Sequence, residues 1–333
     1  MDIFDKFFTA ADGVITRPKS FATALSGGCD SLALTLLAHD WCKHNDVELT
    51  AIIVDHKLRP ESTAEANEVK AKMDALKIHC EILTYTGKIP NTAIEEVARN
   101  YRYDLIIDYA KKHDIKFIAT GHNKNEQCET FLLNLTRGSG LYGLCGIPEI
   151  TDKKGIVFIR PILSLTKDYL KKICVDAKQT WIEDPSNNDE KYKRVRIRKL
   201  QNILNDLDLT PDRICNTIDN LKSAKIAIDN MVKIASENCI IATFEKLEII
   251  ELDLKKLFLN PYEVIYRTLE NFLSFYSNEN KENNHIRSET LCGVINGLSA
   301  TLKTKKFNDT IIANKKLKYV YRDGKHILQI MKI

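Results

Sequence analysis

Six consecutive residues, Ser26-Gly27-Gly28-Cys29-Asp30-Ser31, gather the groups that a phosphate site needs. They stand between an apolar run, Phe21–Ser26, and a helical pattern from Leu32 to Lys43. Two glycines let successive backbone N–H groups turn into one concavity, and the positive end of the next helix faces the same point. Ser26 and Ser31 add hydroxyl donors, and Asp30 can hold a magnesium ion bridging phosphates. No lysine follows the glycines, so this is not a Walker A loop. Such a loop suits holding a pyrophosphate leaving group better than moving a γ-phosphate.

Other groups collect further along. Asp55 and His56 close an apolar run, Leu49–His56, and read either as ligand groups at a strand end or as a capping Asp and a satisfied loop His. Arg99 and Arg102 lie three apart on one helix face. Their planar guanidinium groups suit phosphates or a cytosine edge, or else are solvated helix charges. His122, Glu126 and Glu129 follow the strand-like Lys116–Thr120, and a carboxylate there can bind magnesium or accept a proton from an amine. Arg137-Gly138-Ser139-Gly140 reads as a helix stop and a mobile loop. Asp184 to Asp189 is a turn of acids and amides before a basic helix. There Arg194 and Arg198 are one turn apart and Arg196 points elsewhere, while Val195, Leu200, Ile203 and Leu204 can anchor it. An anchored helix with outward arginines tracks phosphates, and the alternative is a solvated charged face.

The elements that must position these groups alternate. Strand-like runs at Phe21–Ser26, Leu49–His56, Cys80–Tyr85, Lys116–His122 and Phe158–Leu163 separate helical patterns at Leu32–Lys43, Ala64–Leu76, Thr92–His113, Asn125–Leu135 and Lys167–Ala177. The third helix sets Ile94, Val97, Ala98, Tyr101 and Leu105 on one face. That alternation predicts an α/β fold, a parallel sheet covered on both faces, with ligands at the carboxyl ends of the strands. After Asp206 the pattern changes. Thr210-Pro211 opens a long helix toward Asn238. Helices near Tyr262–Phe275 and Ser288–Leu298, a polar loop at Ser277–Asn284 and strand-like runs at the end predict a smaller α+β domain. The expected domains are 1–206 and 207–333.

Composition narrows the class. The 333 residues are 44% hydrophobic and 28% charged, the balance of a globular protein with a real core. No apolar stretch approaches the roughly 20 residues that span a bilayer, and MDIFDKFF lacks the pattern of a secretory signal. Nine cysteines, none in a Cys-x-x-Cys pair, argue for a reducing, cytoplasmic setting and give no local support to a zinc or iron–sulfur site. The net charge of +4 is mild, but Lys191–Lys199 holds six basic residues and no acid, and Lys303–Lys325 holds eight against two acids. Two separated basic blocks predict a polyanionic partner.

SGGCDS after a strand resembles the PP-loop of the ATP pyrophosphatases. Within them the chain resembles the tRNA(Ile)-lysidine synthetases, through VDHKLRPES (54–62), ARNYRY (98–103), GHNKNEQCETFLLNLTRGSG (121–140), RPIL (160–163) and WIEDPSNNDEKYKRVRIR (181–198). The likeness covers about residues 20 to 205. It implies a parallel-sheet PP-loop domain of the adenine nucleotide α-hydrolase-like kind. It also implies ligation of L-lysine to C2 of the wobble cytidine of a CAU-anticodon tRNA(Ile), through an adenylated base. ATP would bind at Ser26, Gly27, Gly28, Cys29, Asp30, Ser31, Asp55, His56, Gly121 and His122. Asp30 and Glu126 would be catalytic and would hold magnesium. Arg99, Arg102, Arg137, Arg194, Arg196 and Arg198 would bind tRNA. No membrane partner is expected, and a homodimer stays open.

One departure stands out. The family pattern reads Gly-His-x-x-Asp-Asp-Gln, where this chain has Asn125-Glu126-Gln127. Glu126 keeps the charge with a longer reach, but Asn125 cannot act as a base. The alternatives are another PP-loop enzyme, such as a tRNA thiolase or an amide-forming synthetase, and a tRNA-binding relative without catalysis.

Overall fold

Strand β1, Ser20–Ala24, sits inside a six-stranded sheet because both its faces are apolar. Phe21 packs on one side with Phe4, Phe8 and Trp41, and Ala22 on the other with Ile52, Ile106, Ile118 and Phe158. The computed structural model describes residues 3–9, 16–57, 60–85, 94–183, 191, 193–244, 247–274 and 288–333. They divide into two units, Met1–Asp219 and Asn220–Ile333. The division falls inside a long helix rather than at the boundary expected after Asp206. The acid-and-amide turn expected at Asp184–Asp189 and the polar loop at Ser277–Asn284 lie outside the described residues.

In the first unit the other strands are β2 (Glu48–Asp55), β3 (His79–Thr84), β4 (Phe117–Thr120), β5 (Ile150–Lys153) and β6 (Ile156–Ile159). The helices are α1 (Cys29–Asn45), α2 (Ser62–Ala75), α3 (Ile94–Lys112), α4 (Lys124–Leu135), α5 (Leu141–Leu144), α6 (Lys167–Asp176), α7 (Lys193–Asp206) and α8 (Pro211–Cys239), the last continuing into the second unit. The sheet order is β3-β2-β1-β4-β6-β5, parallel except for β5, which runs antiparallel to β6. The chain therefore changes direction across the sheet between β1 and β4. That switch point leaves a crevice at the carboxyl ends of both strands.

Two expectations need correction. Helix α3 buries Ile106, Ile107 and Ala110, whereas Tyr101, assigned to the apolar face, is exposed. Strand β5 was not expected; it is a four-residue edge strand joined to β6 by a tight turn in which Lys154 and Gly155 both have positive φ.

The second unit is the smaller α+β body that the sequence predicts. Strands β7 (Ile240–Phe244), β8 (Ile249–Asp253), β9 (Thr310–Ile312), β10 (Lys315–Arg322) and β11 (Lys325–Lys332) form an antiparallel sheet in the order β7-β8-β11-β10-β9. Helices α9 (Leu254–Leu257), α10 (Tyr262–Ser274) and α11 (Ser288–Thr304) complete it. Leu269, Leu273, Leu291 and Leu298 share its core with Leu252, Leu328 and Ile330. Asp323-Gly324, both at positive φ, make the hairpin turn. Among the described residues no helix is long and apolar enough to cross a membrane.

Candidate active site

The phosphate loop leaves β1 and turns at Gly27, whose φ is +82°. A Cβ there would stand 2.8 Å from Val69 Cγ2, so the backbone and its surroundings both demand glycine. Gly28 is the N-cap of α1. Ser31 works inside the loop: its hydroxyl donates to Gly28 O at 3.0 Å, accepts from Ser26 N–H at 3.1 Å and touches Ser26 Oγ at 3.0 Å. Through these bonds Ser31 holds the loop's shape. Cys29 also turns inward. Its side chain is buried against Cys174, and burial raises its thiol pKa, so its backbone N–H is what it can offer a ligand.

Strand β4 delivers the second half of the crevice. At Gly121 a Cβ would lie 3.0 Å from Ser31 N, so this glycine lets the strand end press against the phosphate loop. Helix α4 then opens with a capping box: Asn123 Oδ1 accepts from Glu126 N–H at 3.0 Å, and Glu126 Oε2 accepts from Asn123 N–H at 3.3 Å. This fixes the Glu126 carboxylate at the positive end of a helix.

A recess of about 140 Å³ lies between these elements, lined by Asp30, Asn123, Asn125, Glu126, Glu129, Lys167 and Arg198. Burial, then the neighbouring Asp30 and Glu129 charges, push Glu126 up to about 7. Asp30 is raised as well, chiefly by burial, with Lys167 and an Asn123 hydrogen bond opposing. Its Oδ1 is buried without a hydrogen-bond partner. Glu129, 4% exposed, is gripped by Arg198 through Nε at 2.5 Å and Nη2 at 3.1 Å.

Arg198 is therefore not an outward phosphate-tracking group. Helix α7 is anchored by Val195 and Ile197, with Leu200 and Ile203 exposed, so its phase brings position 198 inward. Arg194 and Arg196 do face solvent, as does Arg137 beyond the end of α4. Sequence reasoning passed over Lys167 and Asn123 as site residues. Thr166, whose hydroxyl caps α6, marks where Lys167 begins a helix, and Asn123 stands at the N-cap of a capping box.

The remaining expected residues lie at the ends of β2 and β4 and on α3. Asp55 is fully engaged: Oδ1 accepts from Lys57 N–H and Ser62 Oγ, and Oδ2 from Thr63 Oγ1. It ties the end of β2 to the start of α2. His56 Nε2 accepts from Arg102 Nε at 2.9 Å, and burial with that cation drives His56 down to about 4. His122 meets Thr120 Oγ1 through Nδ1 at 2.9 Å, and burial beside Arg160, Arg99 and Arg194 drives it to about 3. Arg99 lies over the Tyr103 ring at 5.6 Å. Both histidines are thus neutral at physiological pH. The first unit offers two surroundings: a recess rich in carboxylates for cationic or amine groups, and a cationic group for anions.

Comparison with known proteins agrees with this geometry. The PP-loop domain, an ATP-binding family, matches residues 4–206. A tRNA(Ile)-lysidine synthase of Wolbachia sp. subsp. Brugia malayi is 32% identical over 271 residues, covering 81% of this chain and 62% of that protein. One of Wolbachia pipientis wMel is 34% identical over 250 residues, covering 74% and 58%, and one of Orientia tsutsugamushi 38% over 188, covering 56% and 42%. The chain spans less than two thirds of the length of these relatives. Among solved structures, the U34-tRNA thiolase NcsA from Methanococcus maripaludis, with its 4Fe-4S cluster, has a TM-score of 0.55 at 17% identity over 65% of this chain and 75% of that one, a likeness of fold. With SGGCDS at the switch point of a parallel sheet and a family match over residues 4–206, this chain belongs to the PP-loop domain family.

Proposed function

We propose that the chain joins L-lysine to C2 of the wobble cytidine of a CAU-anticodon tRNA(Ile), converting ATP to AMP and pyrophosphate. The observation that carries this reading is the recess, where Asp30 and Glu126, both of raised pKa, stand beside the amide-rich start of α1. The names of the relatives support the substrate. ATP would lie with its phosphates against the N–H groups of residues 26–31 and its adenosine near the strand ends that carry Asp55, His56, Gly121 and His122. The unpaired, buried Asp30 Oδ1 fits a cation ligand. Magnesium, when bound, would be held by Asp30 with phosphate oxygens and would offset the charge that develops on pyrophosphate, leaving the Glu126 carboxylate for proton transfer.

The reaction has two steps. Cytidine O2 attacks the α-phosphorus, and pyrophosphate leaves. The ε-amine of lysine then attacks C2, and AMP leaves with the former O2. Adenylation is needed because a carbonyl oxygen is a poor leaving group. Glu126, titrating near neutrality, takes the proton from the attacking amine. Glu129, fixed by Arg198, holds that side of the recess in place. Arg99, Arg102, Arg137, Arg194 and Arg196 would meet the RNA.

Labelled L-lysine, ATP and an unmodified CAU-anticodon tRNA(Ile) transcript test the reading. Lysine should enter the tRNA one-for-one with AMP formation. Pyrophosphate release that depends on tRNA but never incorporates lysine would reassign the nucleophile, and no release at all would reject an enzyme.

A further inference from the structure

An arginine is most often fixed by a carboxylate, which also cancels its charge. Arg198 is held that way by Glu129. Arg102 is not. Its Nε–H donates to the Nε2 of His56, and among the described residues no carboxylate pairs with it and its two Nη groups make no hydrogen bond. His56 follows β2 directly at the ligand edge of the sheet, where Tyr85 N–H donates to Asp55 O and closes the neighbouring strand end beside it. The loop that carries His56 is in turn shaped by Asp55. His56 is neutral, since burial and the adjacent cation hold it to about 4, so Nε2 is an acceptor and Nδ1 carries the ring proton. Arg102 is exposed.

We propose that His56 is a positioning residue for Arg102, holding its guanidinium by a neutral acceptor so that the full charge and both Nη groups stay available to a phosphodiester of bound RNA. This rests on the tRNA reading above. The neutrality of the partner is the point: a carboxylate at position 56 would fix the arginine equally well but leave a pair with no net charge to offer an anion.

That difference supplies the test. The full chain, with ¹⁵Nε-labelled arginine, is compared with His56→Gln, His56→Glu, His56→Ala and Arg102→Ala, each checked for folding by thermal melting. Glutamine still accepts from Nε, so His56→Gln should keep the Arg102 Nε–H signal and bind the tRNA transcript within about threefold of wild type. His56→Glu should also keep that signal, yet weaken binding about tenfold and reduce the slope of log K against log salt by about one, as Arg102→Ala does. His56→Ala should lose the signal. Wild-type tRNA affinity and salt slope in the folded His56→Glu protein would overturn the proposal, and so would loss of ATP binding with intact tRNA binding in both His56→Gln and His56→Glu. A wild-type chain that neither binds the tRNA nor incorporates lysine removes the tRNA reading together with this one. Lysine incorporation by the wild type alongside an unaffected His56→Glu protein removes this one alone.

Discussion

The side-chain oxygen of Asn125 accepts the backbone N–H of Lys167 at 3.0 Å, and Lys124 N–H donates to Leu165 O at 2.9 Å, so the starts of α4 and α6 are stitched together at the rim of the recess. The residue that departs from the family's paired aspartates therefore acts here as an acceptor, a task that needs an oxygen and no charge.

Asn125→Asp should accordingly be tolerated, since a carboxylate accepts the same N–H at a helix start. Lysine transfer should stay within about threefold of wild type. Asn125→Ala leaves the Lys167 N–H without its partner and should cost about 1 kcal/mol, read as a lowered melting temperature. A melting temperature equal to wild type for Asn125→Ala would mean that the stitch carries no stability.

Asp30→Asn should release pyrophosphate at least about a hundredfold more slowly while remaining folded. Burial already disfavours the Asp30 anion, and one of its oxygens has no partner, so the neutral amide should melt no lower than wild type. Pyrophosphate release at the wild-type rate would remove Asp30 from the chemistry.

Much of this site could be read from the chain. A glycine pair between an apolar run and a helix, with polar residues after each strand, is enough to place a phosphate loop at the carboxyl edge of a parallel sheet. What escaped had physical reasons. The basic helix α7 has apolar residues on more than one face, so Leu200 and Ile203 were grouped with Val195 as anchors although Val195 and Ile197 are the buried pair, and Arg198 was turned the wrong way. Strand β7 follows α8 without any turn residue, and β5 is only four residues long. Lys154-Gly155 was the one local signal that could have found the β5–β6 hairpin. Lys167 belongs to an element remote in sequence from the phosphate loop, and only the packing of α6 against α1 brings it to Asp30.

The two arginines of α7 should now separate. Arg194→Ala, at an exposed position, should weaken tRNA binding and lower its salt slope by about one, leaving stability unchanged. Arg198→Ala would strand the buried Glu129 carboxylate and should lower stability by about 2–3 kcal/mol, with loss of lysine transfer. Equal effects of both substitutions on tRNA affinity, with no loss of stability in either, would return Arg198 to the RNA surface.

Glu126 gives the strictest check, because its pKa makes opposite demands on stability and activity. Its carboxyl titrates at about 7 in the folded chain against 4.5 for an ordinary glutamate. The folded chain thus holds this proton more tightly than the unfolded one. The group's contribution to stability is fully present below pH 4.5 and is lost as pH rises through 7. Glutamine has no proton to lose, so Glu126→Gln should melt increasingly higher than wild type as pH rises from about 4.5 to 7, with the gap constant above that. Activity should run the other way. A base must be ionised, so single-turnover lysine transfer by the wild type should climb with pH and level off above about 7. Glu126→Gln should lack that rise and transfer lysine about a hundredfold more slowly at saturating substrates. If Glu126 served only the capping box, its amide would still accept the Asn123 N–H and the activity profile would follow the wild type, while the melting difference would still track pH. A loss under about fivefold would remove Glu126 as the base and leave the proton to water or phosphate.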